Sequence, residues 1–255
     1  MTKELFRHRL RKEGEGTKIK MTKGVHQYTQ YKQQAAEKAV EFVRSGMVVG
    51  LGTGSTAIFA TRRIARLLED GQLKNILGFA TSEAVWKEAQ KLGIPMMAEE
   101  MPDNLDLTID GADEVDPDLN LIKGRGGALL REKIAAEASR RVIVVADDSK
   151  LSPKLGMLHA VPVEVLSFGW RSQFRYLESL GARVETRYNA NGSVFMTDSG
   201  NMILDCNFGP IANPAELATK LSTRAGIAEH GLFLGLATDL IVAGKDGIRY
   251  IERRG

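Results

Sequence analysis

Cysteine and long apolar runs are scarce in this chain. Among 255 residues there is a single cysteine, Cys206. One cysteine excludes an internal disulfide framework and is typical of a protein kept in a reducing compartment. No apolar run approaches the roughly 18–20 residues that a membrane-spanning helix needs, and the first residues lack the apolar core of a secretory signal. We therefore expect a cytoplasmic protein with no membrane partner.

Histidine is equally sparse and predicts no catalytic or metal site. The four histidines are His8, His26, His159 and His230, and no two of them stand at ligand spacing. The chain also contains no Gly-x-Ser-x-Gly sequence, which excludes the nucleophile elbow of an α/β-hydrolase. We expect each histidine to be a surface or structural residue.

The positive charge of the chain is concentrated near its N-terminus. Residues 1–30 carry eight basic and three acidic side chains, a net charge of +5, whereas the whole chain carries +3. Residues 31–255 therefore sum to −2. A nucleic-acid-binding domain shows a basic face on its folded part, so we expect no nucleic-acid partner unless the extension acts alone. We interpret residues 1–30 as a disordered basic extension.

Strand and helix signals alternate along the first half of the chain. The short apolar runs at 47–51, 105–110 and 142–146 are typical of buried strands. Segments with helical spacing of their apolar residues separate these runs. The alternation predicts an α/β fold, a Rossmann-like, mainly parallel sheet covered by helices on both faces.

After about residue 156, short strand signals and turns replace this alternation. Asn191-Gly192 and Ser199-Gly200 are typical of hairpins. We interpret residues 157–233 as a smaller α+β domain, and residues 31–156 with 234–255 as the Rossmann-like catalytic domain. The strands predicted in the smaller domain are 161–165, 183–188, 194–197 and 202–207.

The glycine-rich loop at residues 50–56, GLGTGST, lies between an apolar strand and an amphipathic helix. Glycines let backbone amides approach a ligand, and a helix N-terminus offers unpaired N–H groups to an anion. The loop lacks the Gly-Lys-Ser/Thr of a Walker A sequence and the third glycine of a dinucleotide site. It indicates a phosphate site; the alternative is a tight turn in which Ser55 or Thr56 caps the helix.

Two aspartates follow the predicted strand at 105–110. Asp110 ends this strand and Asp113 follows a slim Gly111-Ala112 turn. In open α/β sheets, ligands bind beyond the carboxyl ends of the strands, so both carboxylates could face one pocket. A calcium loop is not indicated, because its glycine and glutamate are missing. A magnesium site and ordinary solvated carboxylates both stay open at this point.

A second glycine-rich bend leads into a helix predicted at 127–138. Lys123 precedes this bend and Glu132 lies in the helix, where Glu132 read alone belongs to a solvated charged face. Lys150 ends a further polar cluster after another apolar strand. Several strand ends rich in glycine, carboxylate and lysine indicate one pocket for a small anionic substrate.

At these residues the sequence closely resembles the A-type ribose-5-phosphate isomerase family. The order and spacing of the motifs match from about Lys32 to the C-terminus, which leaves residues 1–30 outside the resemblance. Weaker matches occur at 161–165, 200–205 and 231–233. The main matching stretches are GLGTGST (50–56), DLTIDGADEVD (106–116), LIKGRGGALLREK (121–133) and ADDSK (146–150).

This resemblance implies an isomerase of the non-oxidative pentose phosphate pathway. Such an enzyme interconverts ribose 5-phosphate and ribulose 5-phosphate through an enediolate. The resemblance further implies a homodimer that uses no metal or other cofactor. The implied catalytic residues are Glu132 as the base, with Asp110, Asp113 and Lys123. The implied phosphate-binding residues are Lys32, Thr53, Gly54, Ser55, Thr56 and Lys150.

Two alternatives remain from the sequence. One is a related phosphosugar isomerase or deaminase on a similar scaffold. The other is a sugar-phosphate sensor that binds without turnover, which the presence of Glu132, Lys123 and both aspartates disfavours. The extension of about 30 residues is also short for a helix-turn-helix output domain.

Overall fold

The computed structural model of the protein describes residues 27–97 and 104–253. The predicted basic extension lies outside the described residues as far as residue 26. Residues 27–30 belong to a helix, α1, which continues to residue 40. Ala35, Ala36 and Ala39, which the sequence spacing assigns to one helix face, are fully buried against the sheet.

Five further α-helices, one short 3₁₀ helix (Asp148–Lys150) and thirteen strands follow α1 in the described part of the chain. The helices are α2 (Ala57–Glu69), α3 (Glu83–Lys91), α4 (Leu129–Glu137), α5 (Trp170–Ser179) and α6 (Pro214–Ser222). The first strands are β1 (Val48–Leu51), β2 (Leu77–Ala80), β3 (Leu107–Gly111), β4 (Glu114–Val115), β5 (Leu121–Ile122) and β6 (Val142–Asp147). The later strands are β7 (Val161–Val165), β8 (Arg183–Thr186), β9 (Met202–Asn207), β10 (Ile227–His230), β11 (Leu232–Phe233), β12 (Asp239–Gly244) and β13 (Gly247–Glu252).

The largest sheet has six strands in the order β13-β12-β6-β3-β1-β2. All neighbouring pairs are parallel except β12 with β13, which form an antiparallel hairpin. The chain runs outward from β1 to β2 and then returns to the other side of β1 as β3. Such a reversal of strand order is where ligands bind in open α/β sheets. The predicted α/β class with a mainly parallel sheet is therefore confirmed.

A separate antiparallel sheet, β10-β7-β9-β8, lies within residues 161–230. The predicted strands at 161–165 and 202–207 coincide with β7 and β9. The strand predicted at 194–197 is wrong, because Val194 and Met196 form only isolated bridges, to Tyr188 and Met202. The division into two domains at residues 157 and 233 stays a prediction.

A third sheet, β11-β5-β4, consists of three strands of two residues each. These strands were not predicted, because two residues show no apolar alternation. The sheet joins Leu121–Ile122 of the first half of the chain to Leu232–Phe233 near its end. No helix among residues 27–97 and 104–253 is long and apolar enough to cross a bilayer.

Candidate active site

A cavity of about 290 Å³ opens at the carboxyl ends of β1, β3 and β6. These three strands are neighbours in the sheet, so loops that are distant in sequence meet at one edge. The cavity contains nine of the ten residues that the sequence nominated, and only Asp110 lies behind its wall. The lining residues are Lys32, Thr53, Gly54, Ser55, Thr56, Gly111, Ala112, Asp113, Lys123, Gly124, Arg125, Gly126, Glu132 and Lys150.

The loop after β1 carries hydroxyl groups into this cavity. Thr56 occupies the N-cap position of α2, yet its side chain makes no capping hydrogen bond within the described residues. The Lys32 ammonium donates to the Ser55 hydroxyl at 3.1 Å. The hydroxyl of Thr53 instead lies 2.7 Å from that of Thr81 and 2.9 Å from that of Ser82. Ser55 and Thr56 are therefore better placed than Thr53 to bind an anion through their side chains.

Gly52 is required by the close approach of this loop to β3. A Cβ atom at residue 52 would lie 2.2 Å from Oδ1 of Asp110, well inside van der Waals contact. The Gly52 amide also donates to the carbonyl of Ile109 at 3.0 Å. The loop after β1 is thus held directly against the residue that ends β3.

A buried trio of charged side chains forms the inner wall of the site. Lys123 Nζ lies 3.0 Å from Asp110 Oδ2 and 3.2 Å from Glu132 Oε1, and it donates to the carbonyl of Gly111 at 2.6 Å. The exposed fractions are 3% for Asp110 and 4% for Lys123 and Glu132. Oε2 of Glu132 has no hydrogen-bond partner among the described residues, and Oδ2 of Asp110 has none apart from its ion pair with Lys123. The two carboxylates therefore share one cation and are incompletely hydrogen-bonded.

Burial and the neighbouring charges shift the pKa values of these three side chains. Burial raises the pKa of Glu132 to about 8; the Asp110 charge adds to the rise, and the Lys123 ammonium opposes it. Burial likewise raises the pKa of Asp110 against the opposing effect of Lys123. Burial alone would lower the pKa of Lys123, but the neighbouring carboxylates outweigh it and raise that pKa. Glu132 can therefore gain or lose a proton close to neutral pH.

Asp113 differs from Asp110 in its surroundings, although the sequence paired them. Asp113 is half-buried and lines the cavity, and its carboxylate accepts the Arg125 amide at 3.0 Å. Asp110 lies beneath the cavity and accepts the Gly111 amide at 2.7 Å. Asp113 is accessible to a ligand, whereas Asp110 acts on the site through Lys123.

Some groups in and behind the cavity wall could not have been found from residue type. The Gly111 carbonyl, which orients Lys123, belongs to a residue interpreted only as a slim turn. Thr81 and Ser82, which hold the Thr53 hydroxyl, lie in a segment where no site was predicted. The charge pattern of α4 favoured a solvated Glu132, and nothing local in the sequence indicated its burial.

The residues present do not form an obvious metal centre. Within the described ranges, no group of three or more His, Cys, Asp or Glu side chains is arranged to hold a metal ion. The cation beside Asp110 is the ammonium of Lys123 at 3.0 Å.

Comparisons of the sequence with known proteins identify a family. The family model of ribose 5-phosphate isomerase A (phosphoriboisomerase A) matches residues 77–247. Ribose-5-phosphate isomerase A of Chloroflexus aurantiacus is 57% identical over 220 residues, which cover 86% of this chain and 92% of the relative.

Two solved structures are similar over most of the chain. Ribose 5-phosphate isomerase from Plasmodium falciparum superposes with a TM-score of 0.86 at 40% identity, over 89% of this chain and 100% of the other. A D-ribose-5-phosphate isomerase in complex with phospho-erythronic acid gives a TM-score of 0.85 at 37% identity, over 88% of this chain and 98% of the other. By its sequence, fold and family match, this chain belongs to the ribose 5-phosphate isomerase A family.

Proposed function

We propose that this chain interconverts D-ribose 5-phosphate and D-ribulose 5-phosphate, with Glu132 moving the proton between C2 and C1 of the substrate. The observation that carries this proposal is the buried position of Glu132 in the cavity wall, beside Lys123. One oxygen of the Glu132 carboxylate is paired to Lys123, and the pKa of Glu132 is about 8. A general base works best when its pKa lies near the working pH.

The proton transfer passes through an enediolate. Glu132 removes the proton from C2 of the open-chain aldose and returns it to C1, which gives the ketose. Negative charge develops on the oxygens of C1 and C2 during this step. The Lys123 ammonium, already fixed between Asp110 and Glu132, stabilises that charge without having to reorganise.

The two aspartates have separate tasks in this proposal. Asp113 lines the cavity and exchanges protons with substrate hydroxyls, including the one that closes the furanose ring. Asp110 lies beneath the cavity and keeps Lys123 charged and in place, as their distance of 3.0 Å supports.

The phosphate group of the substrate binds at the other end of the cavity. This assignment is supported by Lys32, Ser55, Thr56 and Lys150, which all line the cavity, and by the N-terminus of α2, which favours an anion. Gly54 and Thr53 contribute the loop backbone. The related isomerase forms a complex with phospho-erythronic acid, a phosphorylated sugar acid, which supports a phosphate site of this kind. Binding energy from the phosphate then positions the reacting carbons.

We further propose a cytoplasmic homodimer without nucleic-acid partner, metal or other cofactor, in which residues 157–233 form the smaller domain. The family resemblance supports the dimer. Exposed apolar side chains such as Phe168, with 94% of its surface accessible, are compatible with self-association.

The test is ribulose 5-phosphate formation from ribose 5-phosphate by EDTA-treated protein. We expect turnover by the wild type and its loss in Glu132→Gln. Glu137→Gln, the same substitution on the exposed end of the same helix, is the matched control and should leave activity unchanged. No turnover by the wild type, even after divalent metal is restored, would contradict the proposal. Turnover of an amino-sugar phosphate instead would assign the site to a deaminase.

A further inference from the structure

The Gly231-Leu232-Phe233 segment is a motif to which no role has yet been assigned. Its backbone lies directly against that of Lys123, whose amide donates to the Gly231 carbonyl at 2.9 Å. A Cβ atom on residue 231 would lie 2.3 Å from the Lys123 carbonyl oxygen, so glycine is required for this approach. Next to it, β11 pairs with β5, and Phe233 lies opposite Leu121.

This pairing brings the Phe233 ring to the ammonium of Lys123. Lys123 Nζ lies 5.5 Å from the ring centroid, and Lys133 Nζ lies 4.9 Å from it. Both distances are within the range of about 6 Å for cation–π attraction, which is strongest where the cation is desolvated. Phe233 is 1% exposed, so water does not screen the attraction.

The ring also closes the site from below. A void of about 10 Å³ separates Phe233 from Asp110 and Lys123. Its volume is at the lower limit for one water molecule, and most of the side chains around it are apolar. The Lys123 ammonium therefore has carboxylate and carbonyl oxygens within hydrogen-bonding distance and an aromatic ring on its inner side.

We propose that Phe233 is a positioning residue of the active site, whose ring holds the Lys123 ammonium against Glu132 and Asp110. The inference rests on the proposed function, because it assigns its effect to the catalytic role of Lys123. A ring with less negative charge on its face would attract the ammonium less strongly, and the ammonium could then move away from Glu132 and from the enediolate.

The positioning role of Phe233 predicts a change in the pH dependence of kcat/KM. The charged groups that face Glu132 are Lys123, Asp110 and Asp113, and of these only Lys123 opposes the rise in the pKa of Glu132. Loosening Lys123 therefore raises that pKa further. Because Glu132 must be deprotonated to act as base, the acid limb of kcat/KM moves to higher pH.

Lys133, the second cation at the ring, is held independently of Phe233. Its ammonium donates to Glu229 at 2.6 Å and to the His230 carbonyl at 2.7 Å, and Glu137 is a further charge near it. We therefore expect that weakening the cation–π attraction of Phe233 changes the position of Lys123 more than that of Lys133.

The experiment replaces Phe233 by 3,4,5-trifluorophenylalanine, which keeps the shape of the ring but removes most of the negative charge on its face. We expect kcat to fall about three- to tenfold, as for loss of a desolvated cation–π contact, with KM changed less than twofold. The acid limb of kcat/KM should shift upward by about 0.3–0.5 pH unit. The same replacement at Phe174, which packs on Trp170, is the control and should change neither quantity.

Wild-type kcat and an unshifted acid limb in the fluorinated protein would overturn the inference. That outcome is distinct from failure of the proposed function, which would show as an inactive wild type or an active Glu132→Gln. Phe233→Leu provides a second arm: it removes the ring, so we expect at least the same loss of kcat and the same direction of pH shift. Recovery of wild-type kcat by leucine would show that only apolar bulk matters.

Discussion

Two clusters of carboxylate and cation, in which the carboxylates are buried, lie at opposite ends of the same six-stranded sheet. At the carboxyl ends of the strands, Lys123 is shared by Asp110 and Glu132. At the opposite end, Asp239 begins β12 and accepts two hydrogen bonds of 2.8 Å from Arg141. Asp239 also accepts from Thr238 at 2.6 Å and from Tyr250 at 2.5 Å.

The two clusters change carboxyl pKa values in opposite directions. Burial alone would raise the pKa of Asp239, but the hydrogen bonds from Arg141, Thr238 and Tyr250 outweigh it and lower that pKa. At the active site the hydrogen bonds are too few to offset burial, and the pKa of Glu132 rises to about 8. Two carboxyl groups of similarly low exposed fraction therefore differ in chemistry: Asp239, paired with a partly exposed Arg141, is held ionised by its hydrogen bonds, whereas Glu132, paired with a buried Lys123, exchanges protons.

The largest expected effect is that of Glu132→Gln on catalysis. We expect kcat to fall about a thousandfold, within the range for loss of a general base. The unfolding free energy, measured by urea denaturation at pH 4.5, should stay within about 1 kcal/mol of the wild type, because glutamine replaces a carboxyl group that is protonated in the folded protein at that pH. A large loss of stability would break the comparison, since it would make Glu132 a structural residue like Asp239.

Asp239→Asn should give the reverse pattern. It leaves Arg141 without its ionised partner, and we expect a loss of about 2 kcal/mol of unfolding free energy. This is less than the ~3–5 kcal/mol for a fully buried pair, because Arg141 is partly exposed to water. Urea denaturation measures the loss, and kcat should be unchanged. Asp246→Asn, in the exposed turn of the same hairpin, is the control with no expected effect.

Lys150→Ala tests a residue at the rim of the cavity, where we expect an effect on substrate binding rather than on the chemical step. Loss of one charge-assisted contact to the phosphate should raise KM for ribose 5-phosphate about tenfold, with little change in kcat. Steady-state kinetics decide this, and Lys154→Ala, on the exposed surface four residues later, is the matched control. An unchanged KM would remove Lys150 from the phosphate site.

The two carboxyl groups should also give opposite pH dependences of stability. In the folded protein the pKa of Glu132 is raised from about 4.3 to about 8. Its contribution to stability is therefore full at low pH and declines as pH rises between these two values. The pKa of Asp239 is lowered on folding, so its contribution is present above about pH 3.9 and is lost as pH falls below that.

Denaturation at a series of pH values can resolve the two windows. The difference in unfolding free energy between wild type and Glu132→Gln should change between pH 4.5 and 8. The difference between wild type and Asp239→Asn should change only in more acidic solution. Parallel curves for the two variants would mean that the two carboxylates do not differ in the way proposed.

Much of the main sheet was predictable from the sequence. The predicted strand 142–146 and the observed β6 differ by one residue, and the helix predicted at 127–138 begins two residues before α4 and ends one residue after it. Continuous apolar runs and capping residues such as Ser82, which accepts the Val85 amide, are local signals. The strands β4, β5 and β11 carry too few residues to show any period, so they were not predicted.

The surroundings of Glu132 could not be predicted in the same way. The Arg131-Glu132-Lys133 run is typical of a solvated helix face, yet Glu132 and Lys133 are buried. Lys133 is covered by Glu229 and His230, which lie almost one hundred residues later in the chain. Phe233 reaches Lys123 through the same late segment.

The sequence by itself determined which chemical groups follow the strands: a glycine-rich hydroxyl loop, two aspartates, two lysines and a glutamate. Strand–loop–helix order is a local property of residue type and apolar period, and parallel strands bring their carboxyl ends to one edge. Only the tertiary structure decided which of these groups are reactive. A carboxyl pKa depends on desolvation and on charges within a few ångströms, and for Glu132 both are set by Lys123, Asp110 and the buried position that the folded chain gives it.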